Sequence, residues 1–207
     1  MILVGRYLSP FVRRVAATMK IYGMPYERRV LSTITDGDAI RAFNPVGRVP
    51  ALILDSGETL IDSAVILDYL DECAGPARAL VPAKGAERRE VLRLVALAIG
   101  AAEKGVALVY ETKRRPEHLI SPEWAAKLKT QVHDGLAEVD KVLGRDRQWL
   151  ALGRMTQADV TAIAAMDFLG VMLAGTFAPG TFPNLARLVE RTAGMPAFAE
   201  THPKLDS

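Results

Sequence analysis

The segment Asn44-Pro45-Val46-Gly47-Arg48-Val49-Pro50-Ala51-Leu52-Ile53-Leu54 sets Pro50 at the mouth of an apolar, β-branched run that otherwise reads as a buried strand. Proline has no N–H to give a sheet ladder, so it belongs at a strand's first residue, on an edge or at a bulge. The Val49–Pro50 bond leaves a Pro-Val-Gly turn and suits a cis peptide. Such a start bends Val49 away from its neighbour strand and frees its backbone to pair with a peptide-like ligand. Asp62-Ser63 follows a second short strand and opens a helix, which places an anion site close by. Together these features point to a chain that holds a small acidic peptide.

The remaining sequence narrows the class. At 207 residues the chain is long enough for one large or two small domains. A net charge of +2 is too small to imply nucleic acid as a partner. Lys113-Arg114-Arg115 is the first basic run longer than a pair, and it suits a helix C-terminus, where cations complement the dipole. Cys73 is the only cysteine, which excludes an intrachain disulfide, a thiolate metal cluster and a Cys-x-x-Cys pair. His118, His133 and His202 are scattered without metal-ligand spacing, so no metal is expected. The first residues lack a basic leader with a long apolar stretch, and Asp159 and Asp167 interrupt the longest apolar run of the C-terminal half. A soluble cytoplasmic protein with no membrane partner is expected.

Strand and helix signals alternate through the first third. Ile2-Leu3-Val4 reads as a buried strand. Ser9-Pro10 supplies an N-cap followed by proline at the first helical position. The helix that follows carries Phe11, Val15 and Met19 on one stripe, with Arg13, Arg14 and Lys20 expected mostly away from it. Gly23-Met24-Pro25 stops that helix, and Tyr26 to Leu31 reads as a strand. A short helical piece ends near Phe43. The Val49–Leu54 strand, an Asp55-Ser56-Gly57 turn and Thr59-Leu60-Ile61 form a hairpin. Ser63 is expected to cap a helix bearing Val65, Ile66, Tyr69 and Leu70.

The order β-α-β-α-β-β-α predicts a sheet with helices packed on it over residues 1–76. A linker spans 77–85, punctuated by Pro76 and Pro82, and an all-helical domain spans 86–207. In the helical part, residues from about Ala86 to Arg115 form one long pattern. Ser121-Pro122 opens a second helix running toward Gly144. Thr156-Gln157-Ala158-Asp159 resembles a capping box, with Met155 and Val160 placed as a hydrophobic staple. The helix it opens is apolar nearly all round and is expected to form the core of its domain. Shorter helices begin at Pro183 and Pro196.

Ser9-Pro10-Phe11-Val12-Arg13, Asn44-Pro45-x-Gly47-Arg48-Val49-Pro50, Asp62-Ser63 and Thr156-x-x-Asp159 resemble the signature stations of cytosolic-type glutathione transferases. Each motif alone is weak; in order, and spread across essentially the whole chain, they are specific. The chain is most similar to the bacterial, serine-type branch with Ser-Pro-Phe-Val at the active-site helix. The resemblance implies a thioredoxin-like N-terminal domain, a helical domain carrying the electrophile pocket, a homodimer, and glutathione as co-substrate in detoxification. One departure is that many relatives have Glu where Asp62 stands, so the reach there is one methylene shorter.

The same resemblance implies roles residue by residue. Ser9 is the catalytic residue, its hydroxyl donating to the glutathione sulfur. A thiol titrates near ~8.5 and its thiolate is the nucleophile, so a donor at a helix N-terminus favours the reactive form. Tyr7, at the end of the first strand, is the rival donor and otherwise a member of the electrophile pocket with Tyr110 and Arg114. Val49 pairs with the cysteinyl backbone beside Pro50, and Arg48 meets a ligand carboxylate. Ser63 takes the γ-glutamyl carboxylate and Asp62 the ligand's ammonium. Phe11 forms a wall of the site, and Glu103 reaches across the dimer to the glutathione amine. Cys73 reads as a small apolar residue, and Thr156 and Asp159 as structural. The alternatives are a non-catalytic glutathione- or partner-binding protein, or a glutathione-dependent isomerase, dehalogenase or peroxidase. The double serine of the isomerase branch is absent, because Leu8 precedes Ser9 and Pro10 follows it.

Overall fold

A computed structural model describes residues 1–206, the side chain of Leu205 excepted. The chain forms two compact units, Met1–Ala83 together with the segment from Ala193 on, and Lys84–Thr192. The sequence reading placed that closing segment in the helical domain. It joins the first unit instead, because Arg13 in the first helix donates from Nε to the Thr201 carbonyl at 3.0 Å and from Nη2 to the Phe198 carbonyl at 3.4 Å.

The first unit is built on a sheet of order β2-β1-β3-β4. Strand β1 (Ile2–Val4) lies centrally, parallel to β2 (Glu27–Arg29) and antiparallel to β3 (Ala51–Ile53), which pairs antiparallel with β4 (Thr59–Leu60). The central strands carry Leu3, Val4, Ala51 and Leu52, all buried. The edge strand β2 is Glu-Arg-Arg, a charged composition that discourages further pairing. The strand expected over Tyr26–Leu31 is shorter because only residues 27–29 find partners on β1, and Ile61 falls outside β4.

Helix α1 (Pro10–Tyr22) begins at the N-cap Ser9 and ends at Gly23, whose φ of 67° lets its N–H reach back to the Lys20 and Met19 carbonyls. Val12, Val15, Ala16 and Met19 form its buried stripe. Arg13 and Arg14 do not project away from this stripe as expected: they are 1% and 3% exposed. Their guanidiniums are held by hydrogen bonds inside the unit, which is what permits such burial.

A short helix α2 (Gly37–Arg41) leads into the Asn44 loop. Helix α3 (Ser63–Ala74) is capped by Asp62, whose carboxylate accepts the Ala64 N–H, and not by Ser63. Ser63 becomes the first helical residue, so the inward face is Ser63, Ile66, Leu67 and Leu70, and Val65 turns outward at 52% exposure. Asp71 ties the following segment to α1: it accepts from the Tyr22 hydroxyl and from the Leu80 and Val81 N–H groups. Near the end of the chain, α8 (Pro196–Ala199) packs on α1.

The second unit is helical. It contains α4 (Gly85–Val109), α5 (Pro122–Leu143), α6 (Gln157–Met172) and α7 (Pro183–Thr192). The long pattern expected to Arg115 keeps α-helical spacing only to Val109 and finishes as a π-turn over Tyr110–Arg114. Glu111 stabilises that turn, accepting from Ser121 N at 2.7 Å and pairing with Arg115 Nε at 2.9 Å.

Helix α6 is buried on nearly every side, as its apolar composition implied. It approaches α4 closely at Gly105, where an added Cβ would stand 3.0 Å from Leu169 Cδ2 and 3.3 Å from Phe168 Cε1. Among the described residues, no helix is long and apolar enough to cross a membrane.

Candidate functional site

Three stretches of the first unit carry the glutathione-site residues singled out from sequence. The first is the β1–α1 connection. Gly5 has φ +126°, and an added Cβ there would lie 2.6 Å from Val12 Cγ2 and 3.0 Å from Val49 Cβ. Only a residue without a side chain fits this meeting of the strand's exit, the first turn of α1 and Val49. Ser9 is half-buried, and its Oγ accepts the Val12 N–H at a long 3.4 Å. Its own proton has no acceptor among the described residues and is free to donate. The N–H groups of the first turn add positive potential at the same point.

Tyr7 sits differently. Its ring is buried beneath the Arg28 guanidinium, which lies 3.6 Å from the ring centroid. Its hydroxyl is bonded to the Tyr26 hydroxyl at 2.8 Å. Burial, and then this bond to Tyr7, push the Tyr26 phenol far above its ordinary range. The Tyr7 hydroxyl thus already has one hydrogen-bond partner, in Tyr26. Phe11, the second residue of α1, is half-buried.

The second stretch is the Asn44 loop. Asn44 is buried, and its side chain holds the loop from within: Nδ2 donates to the Arg48 carbonyl at 2.9 Å and Oδ1 accepts the Val46 N–H at 3.0 Å. The Val49–Pro50 bond is cis. The ladder between β1 and β3 begins at Ala51, paired with Val4, so the Val49 N–H and C=O lie outside it with no backbone partner among the described residues. Arg48 is exposed.

The third stretch is the start of α3. Asp62 is exposed and acts as the N-cap. Ser63 is buried, and its Oγ accepts from Arg14 Nη2 at 2.7 Å and Nε at 3.1 Å. Neither Arg14 nor Asn44 was assigned a role from sequence. Arg14 lies three residues after Phe11, on the flank of the apolar stripe, and that spacing was the available signal. Asn44 stood inside the quoted motif, and its place before Pro-x-Gly marks a side chain suited to closing a turn.

Glu103, Tyr110 and Arg114 belong to the second unit and are exposed. Cys73 is also exposed rather than buried, and it neighbours Tyr69 one helical turn earlier.

Comparison with known proteins assigns the class. Residues 3–78 match the glutathione S-transferase N-terminal domain, and residues 102–200 match the C-terminal domain of the same family. The GST-like protein YibF of Escherichia coli K12 is 31% identical over 97% of this chain and 98% of its own. A maleylacetoacetate isomerase of Pseudomonas aeruginosa is also 31% identical, over 95% of this chain and 93% of its own. A Methylobacillus flagellatus glutathione S-transferase solved with glutathione bound is 29% identical, covers 98% of both chains and has a TM-score of 0.90. A second, from Methylobacterium radiotolerans in complex with glutathione sulfonate, is 28% identical with the same TM-score, over 98% of this chain and 94% of that one. The chain belongs to the glutathione S-transferase family, with a thioredoxin-like first domain and a helical second domain.

Proposed function

We propose that the protein is a glutathione transferase whose thiol donor is Ser9. The observation that carries this reading is the unpaired backbone of Val49 at the mouth of β3, held against Gly5 and the first turn of α1. An extended tripeptide laid on Val49 gains two main-chain hydrogen bonds in the manner of an added strand. Its cysteinyl sulfur then lies toward Ser9 and its γ-glutamyl end toward Ser63 and Asp62, while Arg48 meets a ligand carboxylate. Relatives solved with glutathione and glutathione sulfonate support the same ligand.

The chemistry follows from charge. The Ser9 hydroxyl donates to the sulfur and the α1 N-terminus favours the anion. Lowering the thiol pKa by about two units corresponds to roughly 2.7 kcal/mol. The thiolate then forms a carbon–sulfur bond with the electrophile, and the serine neither ionises nor attacks. Tyr110 and Arg114 are assigned to electrophile recognition within the helical unit. The reading includes a cytoplasmic homodimer, with Glu103 reaching toward the glutathione amine of the partner subunit.

A second reading is a glutathione-dependent isomerase. It is favoured by the 31% identity to the Pseudomonas aeruginosa isomerase and by 28% identity, over 98% of this chain, to a probable Drosophila melanogaster isomerase. The lone serine between Leu8 and Pro10 argues against it.

Calorimetry with glutathione, followed by turnover of a chlorinated nitroaromatic and of maleylacetoacetate, separates these readings. The first expects binding and conjugation; isomerisation without conjugation supports the second. Absence of binding at millimolar glutathione would sink both.

A further inference from the structure

We propose that the closing segment of the chain is a strap that positions Ser9, with Asp206 as its positioning residue. The segment grips the chain on both sides of the serine. Two residues before Ser9, the Tyr7 N–H donates to Asp206 Oδ2. Four residues after it, Arg13 donates to the Thr201 and Phe198 carbonyls. Further along α1, Lys20 pairs with Glu200.

The Asp206 contact is built as a buried cluster. Its side chain is 6% exposed, and both of its oxygens lie 2.7 Å from Arg28 Nη2. The same guanidinium covers the Tyr7 ring, while its Nε is buried without a hydrogen-bond partner. Arg28 is thus fixed by one carboxylate and one ring. Removing the carboxylate leaves a partly buried cation without its counter-charge and the Tyr7 N–H without its acceptor, and both penalties fall on the loop carrying Ser9.

Besides Asp206, the loop's backbone anchors are Gly5 N to the Arg29 carbonyl at 2.9 Å, Ser9 N to the Arg6 carbonyl at 3.0 Å, internal to the loop, and the Ser9 carbonyl, which accepts the Arg13 N–H at 2.9 Å. Ahead of Ser9, the Tyr7 N–H to Asp206 is thus one of two backbone bonds that tie the loop to other elements among the described residues. Donor alignment is steep in angle and distance, so a loosened loop degrades a serine-to-sulfur hydrogen bond before it disturbs the pairing of ligand backbone with Val49. The inference rests on the reading of Ser9 as thiol donor for its catalytic part only. The ordering of the loop stands apart from any ligand.

The test compares the full-length protein with Asp206→Ala, Ser9→Ala and the double variant. In the absence of ligand, amide exchange at Tyr7–Ser9 is expected to rise about tenfold or more in Asp206→Ala while α3 is unchanged. Unchanged exchange overturns the strap. Asp206→Asn keeps an acceptor for the Tyr7 N–H, so its expected rise is smaller; it serves if the alanine variant does not fold.

With glutathione bound, the thiol pKa is expected to rise by about half a unit or more in Asp206→Ala, with affinity held within about threefold. In the Ser9→Ala background the Asp206 substitution is expected to add nothing. An equal rise in both backgrounds would mean that Asp206 acts directly on the sulfur, and overturns its role through Ser9. If the unmodified protein binds no glutathione, the proposed function fails, and the exchange measurement still decides the strap.

Discussion

Arg14 grips the Ser63 hydroxyl with two nitrogens, at 2.7 and 3.1 Å, and both side chains are buried. A residue of α1 thus fixes the orientation of the first residue of α3. The buried cation also sets a positive field where the proposed γ-glutamyl carboxylate arrives. Because Ser63 Oγ already accepts from Arg14, its proton is left to donate to Asp62 Oδ1, 3.3 Å away, or to an incoming carboxylate.

Arg14→Ala removes both the field and the orientation. The expected outcome is a loss of about 2 kcal/mol or more in folding stability, because the buried hydroxyl loses its partner. Glutathione affinity is expected to fall about tenfold, or about 1.4 kcal/mol. Denaturant unfolding and calorimetry check the two effects separately. Arg14→Lys should retain part of the affinity, since an ammonium keeps the charge and loses the two-nitrogen grip.

Gly5→Ala tests the meeting of β1, α1 and Val49. Its Cβ would stand 2.6 Å from Val12 Cγ2 at a φ of +126°. Backbone strain and overpacking together are expected to cost about 2–4 kcal/mol. Glutathione binding should weaken as well, because Val49 is one of the groups that must move. A variant as stable as the parent by thermal unfolding would contradict the close approach.

Asp159 lies in the second unit, where its carboxylate accepts from Leu150 N at 2.8 Å, Thr156 N at 2.8 Å and Thr156 Oγ1 at 2.9 Å. Asp159→Ala leaves three buried donors unpaired and is expected to cost about 3 kcal/mol or more. Burial pushes its carboxyl above the ordinary 3.8, against the pull of those bonds. The folded state therefore binds a proton more readily than the unfolded state in the window above 3.8. Stability from this group is fully present below the unfolded value and is lost as pH rises through the raised folded value. Unfolding measured against pH should show the parent gaining on Asp159→Asn as the solution is acidified through that window, and no gain would remove the premise.

The fold class was legible because its signals are local. Ser9-Pro10 and Ser121-Pro122 open helices where an N-cap followed by proline should, and both serines accept the N–H three residues on. Pro50 stands immediately before β3, and the bond before it is cis. What periodicity could not reveal was long-range satisfaction of charge. Arg13 and Arg14 were expected mostly away from the apolar stripe because a helical wheel shows no carbonyls at Phe198 and Thr201 and no hydroxyl at Ser63. The cap of α3 was misplaced by one residue for a similar reason, since Asp62 and Ser63 both suit an N-cap and burial of Ser63 against Arg14 decided between them. The closing segment was assigned to the helical domain by its position in the chain. Asp206 and Arg28 are 178 residues apart, a separation at which no local pattern operates.

The central claim is that Ser9, and not Tyr7, stabilises the glutathione thiolate. Its most direct measurement is the pH titration of thiolate absorbance with glutathione bound to the parent, Ser9→Ala and Tyr7→Phe. The account predicts a thiol pKa about two units below the free value of ~8.5 in the parent, and a return most of the way to it in Ser9→Ala. Tyr7→Phe is expected to lose the Tyr26 hydrogen bond and some stability while keeping the low thiol pKa. A low pKa that survives in Ser9→Ala and disappears in Tyr7→Phe would contradict the account.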